Sequence, residues 1–171
     1  KFRELSQGKD IDEVAPLLAR GMIVKALAKK AAKTMGGQAF QSFEDLLRYP
    51  KIDAVILTVP NEFHFSYTKQ ALEADKHVFV EKPLTNTVSE GKILVKLAMK
   101  NSLVLTVGHN YRKNGFIQKI KEELDQNRIG NPVAAEMNMG HGGGLKFKSH
   151  QWRFHKEKCP GGPLNMLGVH L

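Results

Sequence analysis

Three short apolar runs, each emptying into a polar cluster and separated by stretches of helical periodicity, constrain this chain more than anything else in it. Residues 54–59 read Ala-Val-Ile-Leu-Thr-Val, a near-continuous β-branched run of the kind found in strands covered on both faces. Residues 77–80 (His-Val-Phe-Val) and 103–107 (Leu-Val-Leu-Thr-Val) repeat the signal. Between the first two lies a helical stretch with Phe65, Thr68, Ala71 and Leu72 on one side. Between the second and third, Thr87 and Glu90 form a capping box ahead of a helix that turns Leu94, Leu97 and Ala98 inward. A short helix over 43–48, capped by Ser42 and stopped by Pro50, precedes them all. Strand, helix, strand, helix, strand with short connections predicts right-handed crossovers and an α/β fold with a doubly wound parallel sheet.

A parallel sheet has a functional consequence, because ligands bind outside the carboxyl ends of its strands. The clusters at those ends are Pro60-Asn61-Glu62-Phe63-His64, Glu81-Lys82-Pro83 and Gly108-His109-Asn110-Tyr111-Arg112. All three fall on one rim of one sheet. Past Asn110 the texture changes. Residues 116–126 predict an amphipathic helix with Ile117, Ile120 and Leu124 inward and Gly130 as its stop. Residues 133–139 alternate Ala135, Met137 and Met139 with Glu136 and Asn138, which predicts a strand with one covered and one polar face. A glycine- and histidine-rich connection then leads to Pro160-Gly161-Gly162-Pro163 and a final helix from Leu164. The expected division is residues 1–110 as the parallel-sheet domain and residues 111–171 as the start of a second α/β domain with a mostly antiparallel open sheet.

Composition narrows the function classes. With 42% hydrophobic residues the chain can bury a core. Its longest uncharged apolar run, residues 54–60, is far shorter than the roughly 20 residues a bilayer span needs, so no membrane association is expected. The single Cys159 excludes an internal disulfide framework and, with no apolar signal core behind Lys1, suits a cytoplasmic protein. The net charge of +9 admits a nucleic-acid binder or an enzyme for an anionic ligand. Its lysines are scattered over several segments without an aromatic-interleaved stripe, so no nucleic-acid partner is expected. His141, His150, His155, Cys159 and His170 match no ordinary zinc spacing, so no metal is expected either.

The ordered set Thr58-Val59-Pro60-Asn61-x-x-His64, residues 71–84 ending in Glu81-Lys82-Pro83-Leu84, Val107-Gly108-His109-Asn110-Tyr111-Arg112, Trp152-Arg153 and Gly161-Gly162 ahead of Gly168-Val169-His170 resembles the glucose-fructose oxidoreductase/inositol dehydrogenase (Gfo/Idh/MocA) family. The resemblance covers roughly residues 40–171. It implies an NAD- or NADP-dependent oxidoreductase with a Rossmann domain followed by an open-sheet domain through which the family forms homo-oligomers, acting on a sugar, inositol or related polyol. By the same resemblance Lys82 lies beside the nicotinamide and substrate and His170 faces the substrate hydroxyl. Glu81 meets the nicotinamide-side ribose, and Thr58, Val59, Pro60, Asn61 and His64 line the dinucleotide. Asn110, Arg112, Trp152 and Arg153 face the nicotinamide or substrate. The chemistry fits independently: oxidising an alcohol by hydride transfer needs a base for the hydroxyl proton, and histidine is suited to it. A lysine polarises the oxygen as a cation, or acts as base if burial lowers its pKa.

Three departures bear on the reading. Where the family usually has an acid four positions before the histidine, this chain has Met166, whose thioether accepts neither a proton nor a strong hydrogen bond. No G-x-G-x-x-G precedes Phe40, although such glycines normally let the backbone approach a pyrophosphate. The Gly140-His141-Gly142-Gly143-Gly144 cluster has the wrong spacing and reads as a flexible loop. Finally, residues 22–28 resemble a second Rossmann strand but lead to Lys29-Lys30 rather than an acid, a substitution that would favour a 2′-phosphate and hence NADP. The last two lead to the expectation of an incomplete chain lacking its first strand and a loop near residues 28–30. Met166 also motivates an alternative, a non-catalytic sensor or scaffold that binds a dinucleotide or sugar.

Overall fold

The structure is a computed structural model and describes residue 29, residues 32–140, residues 142 and 145, and residues 151–170. Three parallel strands, β1 (Ala54–Leu57), β2 (His77–Val80) and β3 (Leu105–Val107), lie in the order β1-β2-β3. Ala54 pairs with His77 and Leu57 with Val80; Val78 pairs with Leu105 and Val80 with Val107. The helices in chain order are α1 (Phe43–Arg48), α2 (His64–Glu73), α3 (Val88–Lys100), α4 (Gly115–Asp125) and α5 (Pro163–Met166). Single 3-10 turns occupy Asn61–Phe63, Asn110–Lys113, Trp152–Phe154 and Gly168–His170.

Local chemistry sets the helix starts. Ser42 Oγ accepts from Asp45 N at 3.0 Å, capping α1. At α3 the capping box is complete, with Thr87 Oγ1 accepting from Glu90 N at 3.3 Å and Glu90 Oε2 accepting from Thr87 N at 3.2 Å. α2 and α3 end on Asp75 and Ser102, both with positive φ, which turns the chain sharply into the next strand. The crossover helices pack on each other and on the sheet. Their apolar stripe (Ala71, Leu72, Leu94, Ala98) meets Val55, Leu57, Val78 and Val80, with Phe43, Leu46 and Leu47 of α1 closing the core. Burying aliphatic side chains of this size contributes about 1.5–3 kcal/mol each.

Four expectations change. The residues of β1 and β2 alternate between buried and half-buried, so one face of these strands is sealed and the other only partly covered, where both were expected to be. The strand expected over 133–139 does not form: these residues pair with no described strand, and Val133 is fully exposed. Alternation selects the faces of a strand but cannot replace the ladder partner that makes it one. Likewise α4 buries none of its residues, and Ile117 and Ile120 are exposed. The final helix is one turn, α5, continued as 3-10. The strand expected over 22–28, Lys30, and the glycine cluster's residues 141, 143 and 144 lie outside the described residues, while Lys29 is exposed.

Candidate functional site

The parallel register brings the ends of all three strands level. Glu81 N donates to Leu57 O at 2.9 Å and Gly108 N to Val80 O at 2.8 Å, so the ladder runs one residue beyond the strands into the two clusters. Glu81 turns its carboxylate toward β3: a Cβ at Gly108 would stand only 3.1 Å from Glu81 Oε1 and 3.3 Å from Oε2. The carboxylate thus occupies the space a larger residue would fill. Glu81 Oε2 also accepts from Lys82 N at 3.3 Å.

After β1, Asn61 and His64 are both buried. His64 Nδ1 lies 2.6 Å from Pro83 O and Nε2 2.9 Å from Val59 O. The ring therefore staples the loop after β1 to the loop after β2, with each nitrogen facing a carbonyl. It supports the rim from beneath; Thr58, Val59 and Pro60 form the backbone above it. Asn61 Nδ2 donates to Cys159 Sγ at 3.7 Å, a contact across 98 residues. Cys159 was read from sequence only through its redox meaning and its poor fit to zinc. The structure makes it a buried joint between the sheet rim and the segment 151–170. Burial pushes its thiol pKa up, against the pull of Arg153 and Lys82.

Lys82 and His170 come together through that joint. Lys82 Nζ donates to the backbone carbonyl of Met166. Burial lowers the Lys82 pKa from the usual lysine value; Glu81 and Cys159 oppose that shift and Arg153 adds to it. His170 is held below its ordinary value by burial first, then by Lys82 and His109, with Glu81 pulling the other way. Its Nδ1 is buried and has no hydrogen-bond partner among the described residues. His109 meets His170 edge-on with ring centroids 6.2 Å apart, and Tyr111 lies across it at 4.9 Å and 42°. These rings, with Arg112 and Val169, line a cleft of about 230 Å³.

The other expected residues are placed as follows. Asn110 folds its Oδ1 back onto Tyr111 N at 3.0 Å. Arg112 is exposed at the cleft wall. Arg153 stacks its guanidinium 4.5 Å from the Trp152 ring centroid. Gly161 has φ +82°, and a Cβ there would come within 2.9 Å of Asn165 Cγ, so only glycine lets this turn lead into α5. Among the described residues no three His, Cys, Asp or Glu side chains are grouped to hold a metal ion, and no helix is long and apolar enough to cross a membrane.

The donor set fits the nicotinamide half of a dinucleotide. Glu81 offers a carboxylate acceptor for hydroxyl groups beside a position kept free of side chain at Gly108, and Lys82 offers an ammonium at the same rim. His170 lines the cleft, and its buried Nδ1 has no hydrogen-bond partner among the described residues. The phosphate-binding glycine motif is not among residues 1–40.

Comparison with known proteins agrees with this geometry. Residues 9–109 match the family described as "Oxidoreductase family, NAD-binding Rossmann fold", and residues 117–171 match "GFO/IDH/MocA C-terminal domain". A glucose-6-phosphate 3-dehydrogenase of Bacillus subtilis is 30% identical over 84% of this chain and 41% of its own length. A 1,5-anhydro-D-fructose reductase of Ensifer adhaerens is 31% identical over 78% of this chain and 40% of its own. The crystal structure of an NAD-binding protein from Listeria innocua superposes with a TM-score of 0.68 at 30% identity, covering 86% of this chain and 42% of that one. The chain thus spans about two-fifths of the length of these relatives. A parallel sheet whose strand ends gather Glu81, Lys82 and Gly108, together with matches to both family domains, makes this chain a member of the Gfo/Idh/MocA oxidoreductase family.

Proposed function

We propose that the protein is an NAD(P)-dependent oxidoreductase interconverting a carbinol and a carbonyl on a sugar, inositol or related polyol, with Lys82 and His170 handling the proton. The observation that carries this reading is the convergence of Lys82 and His170, 88 positions apart in sequence, through the Lys82 to Met166 contact one turn before His170. Its relatives include a dehydrogenase and a reductase of sugar-like molecules, so the reaction is written in both directions.

Held beside Glu81 and Lys82, a nicotinamide would supply the hydride acceptor or donor for the carbinol carbon. Every other task falls to the chain. Glu81 accepts from ribose hydroxyls, and the turn from Thr58 to Asn61, supported by His64, borders the dinucleotide. Lys82 spends one of its three protons on Met166 O and keeps two for the substrate oxygen, whose developing negative charge it holds. His170 takes the hydroxyl proton on oxidation and returns it on reduction. Its depressed pKa keeps it neutral near pH 7, the state a base requires. Trp152 and Arg153, stacked as one unit, and Asn110 and Arg112 border the nicotinamide or substrate.

We place the protein in the cytoplasm, with its domains divided at about residue 110 and homo-oligomers formed through the second domain's sheet. Differential scanning fluorimetry of the full chain with NAD⁺, NADP⁺ and their reduced forms tests the reading, with a rise in melting temperature expected for one pair. No shift with any of the four at millimolar concentration overturns it. Met166 supports one other reading, a non-catalytic binder. Turnover of a polyol that is lost in both Lys82→Met and His170→Ala decides against that reading.

A further inference from the structure

The imidazole of a proton-handling histidine is ordinarily oriented by a hydrogen bond to one of its nitrogens. Among the described residues His170 has no such restraint at Nδ1, which is buried there without a partner. The residue one turn earlier is Met166, whose sulfur cannot supply one and whose backbone carbonyl is already taken by Lys82. The supporting backbone is also slight: α5 is four residues long and His170 ends a single 3-10 turn. Ring packing supplies the missing restraint. Tyr111 approaches at a centroid distance of 4.9 Å and a tilt of 42°, and His109 closes the edge at 6.2 Å and 83°. Both distances are in the range of favourable aromatic pairs.

We infer that Tyr111 is a positioning residue for His170, its ring fixing the plane of the imidazole in place of a carboxylate. The 3-10 turn Asn110–Lys113 carries Tyr111 and is held by Arg112 N donating to His109 O at 3.1 Å and Asn114 N donating to Tyr111 O at 3.0 Å. The clamp is therefore built on the loop that leaves β3, and the rim of the sheet sets its position. A ring clamp differs chemically from an acid clamp. A carboxylate would stabilise the imidazolium and raise its pKa, whereas a neutral ring orients the imidazole and leaves its basicity to burial first and then to the charges around it. Those are Lys82 and Glu81 at the end of β2, and His109 and Arg112 on the loop of Tyr111 itself. The direction of the His170 shift, downward, matches this arrangement. The contact of Tyr111 with His170 is made by its ring, so the ring is assigned the positioning role.

This role rests on the reading of His170 as the proton-handling group. The test compares Tyr111→Phe and Tyr111→Leu in the full chain, each checked for native secondary structure by circular dichroism. Two readouts are used: steady-state kinetics with the dinucleotide and a turned-over polyol, and the proton NMR shift of the His170 Hε1, assigned by its loss in His170→Ala. The expected result is that Phe preserves kcat and the His170 resonance. Leu moves the resonance, as the ring current is lost, and lowers kcat by about one to two orders of magnitude while KM for the dinucleotide stays unchanged. Leu matching the parent in both readouts, or Phe falling as far as Leu, overturns the role of the ring. Undiminished turnover in His170→Ala instead overturns the reading on which it rests, so the two failures are told apart.

Discussion

The ammonium of Lys82 donates to the main-chain carbonyl of Met166, 84 positions further on. The contact ties the end of β2 to the turn that carries His170, and it depends on the backbone at residue 166 and not on its side chain. A methionine at a position where the family usually has an acid therefore removes a carboxylate without removing the anchor for the lysine.

Replacing Lys82 by Met removes both the anchor and the cation that holds the substrate oxygen. Turnover in the full chain is expected to fall by about 10²–10³, the loss seen when one oxyanion partner is removed. Dinucleotide affinity, measured by fluorescence titration, should change far less. Equal losses in both would mean that Lys82 acts in binding alone.

The pH dependence follows from the neighbours of His170. Its folded-state pKa lies below the ordinary histidine value because burial, Lys82 and His109 disfavour the imidazolium. In the oxidation direction kcat/KM should therefore lose activity on the acid side with a midpoint below about 6.5. The corresponding stability is fully present above the unfolded-state pKa and is lost as pH falls through the folded one, because only the unfolded chain takes up that proton readily. Replacing His109 by Gln removes one positive neighbour, so the NMR titration midpoint of His170 should move upward. A downward move would contradict the charge assignment.

Gly108 faces the carboxylate of Glu81 so closely that a methyl group there would crowd it, with Oε1 at 3.1 Å and Oε2 at 3.3 Å. Gly108→Ala should cost about 1–3 kcal/mol by overpacking, readable as a lower urea midpoint. It should also weaken the dinucleotide, because Glu81 has to move. Retention of both properties would show that the carboxylate is free to swing away.

His64→Leu keeps a similar bulk but removes the ring N–H that donates to one of the two facing carbonyls, Val59 O or Pro83 O, and with it the contact between the two loops. An unsatisfied buried acceptor costs about 1–3 kcal/mol. A large drop in thermal midpoint is expected, with hydrogen exchange accelerating first in the loops after β1 and β2. Uniform acceleration across the sheet would indicate general loss of stability instead of a lost staple.

Much of the parallel-sheet region was legible before any coordinates, because its signals are local. The β-branched run at residues 54–59, the Thr87 and Glu90 capping box and the polar clusters after each strand each specify an element or its end within a few residues. The structure places those elements as the pattern predicts and brings Glu81, Lys82 and Gly108 to one rim. Legibility fails where an element depends on a partner. Residues 133–139 alternate correctly and still form no strand among the described residues. The apolar side of α4 likewise remains uncovered there.

The sequence by itself determined the fold class and the rim, because periodicity and caps are written in neighbouring residues; Lys82 and His170 entered as candidates through a family resemblance carried by motif order. Only the tertiary structure decided that Met166 anchors the lysine through its carbonyl, that Cys159 joins Asn61, that His64 is a buried staple and that Tyr111 lies across His170. Those relationships link backbone groups and rings distant in the chain. They arise from packing and from the need to pair buried polar atoms, and no pattern of neighbouring side chains encodes which distant group will do the pairing.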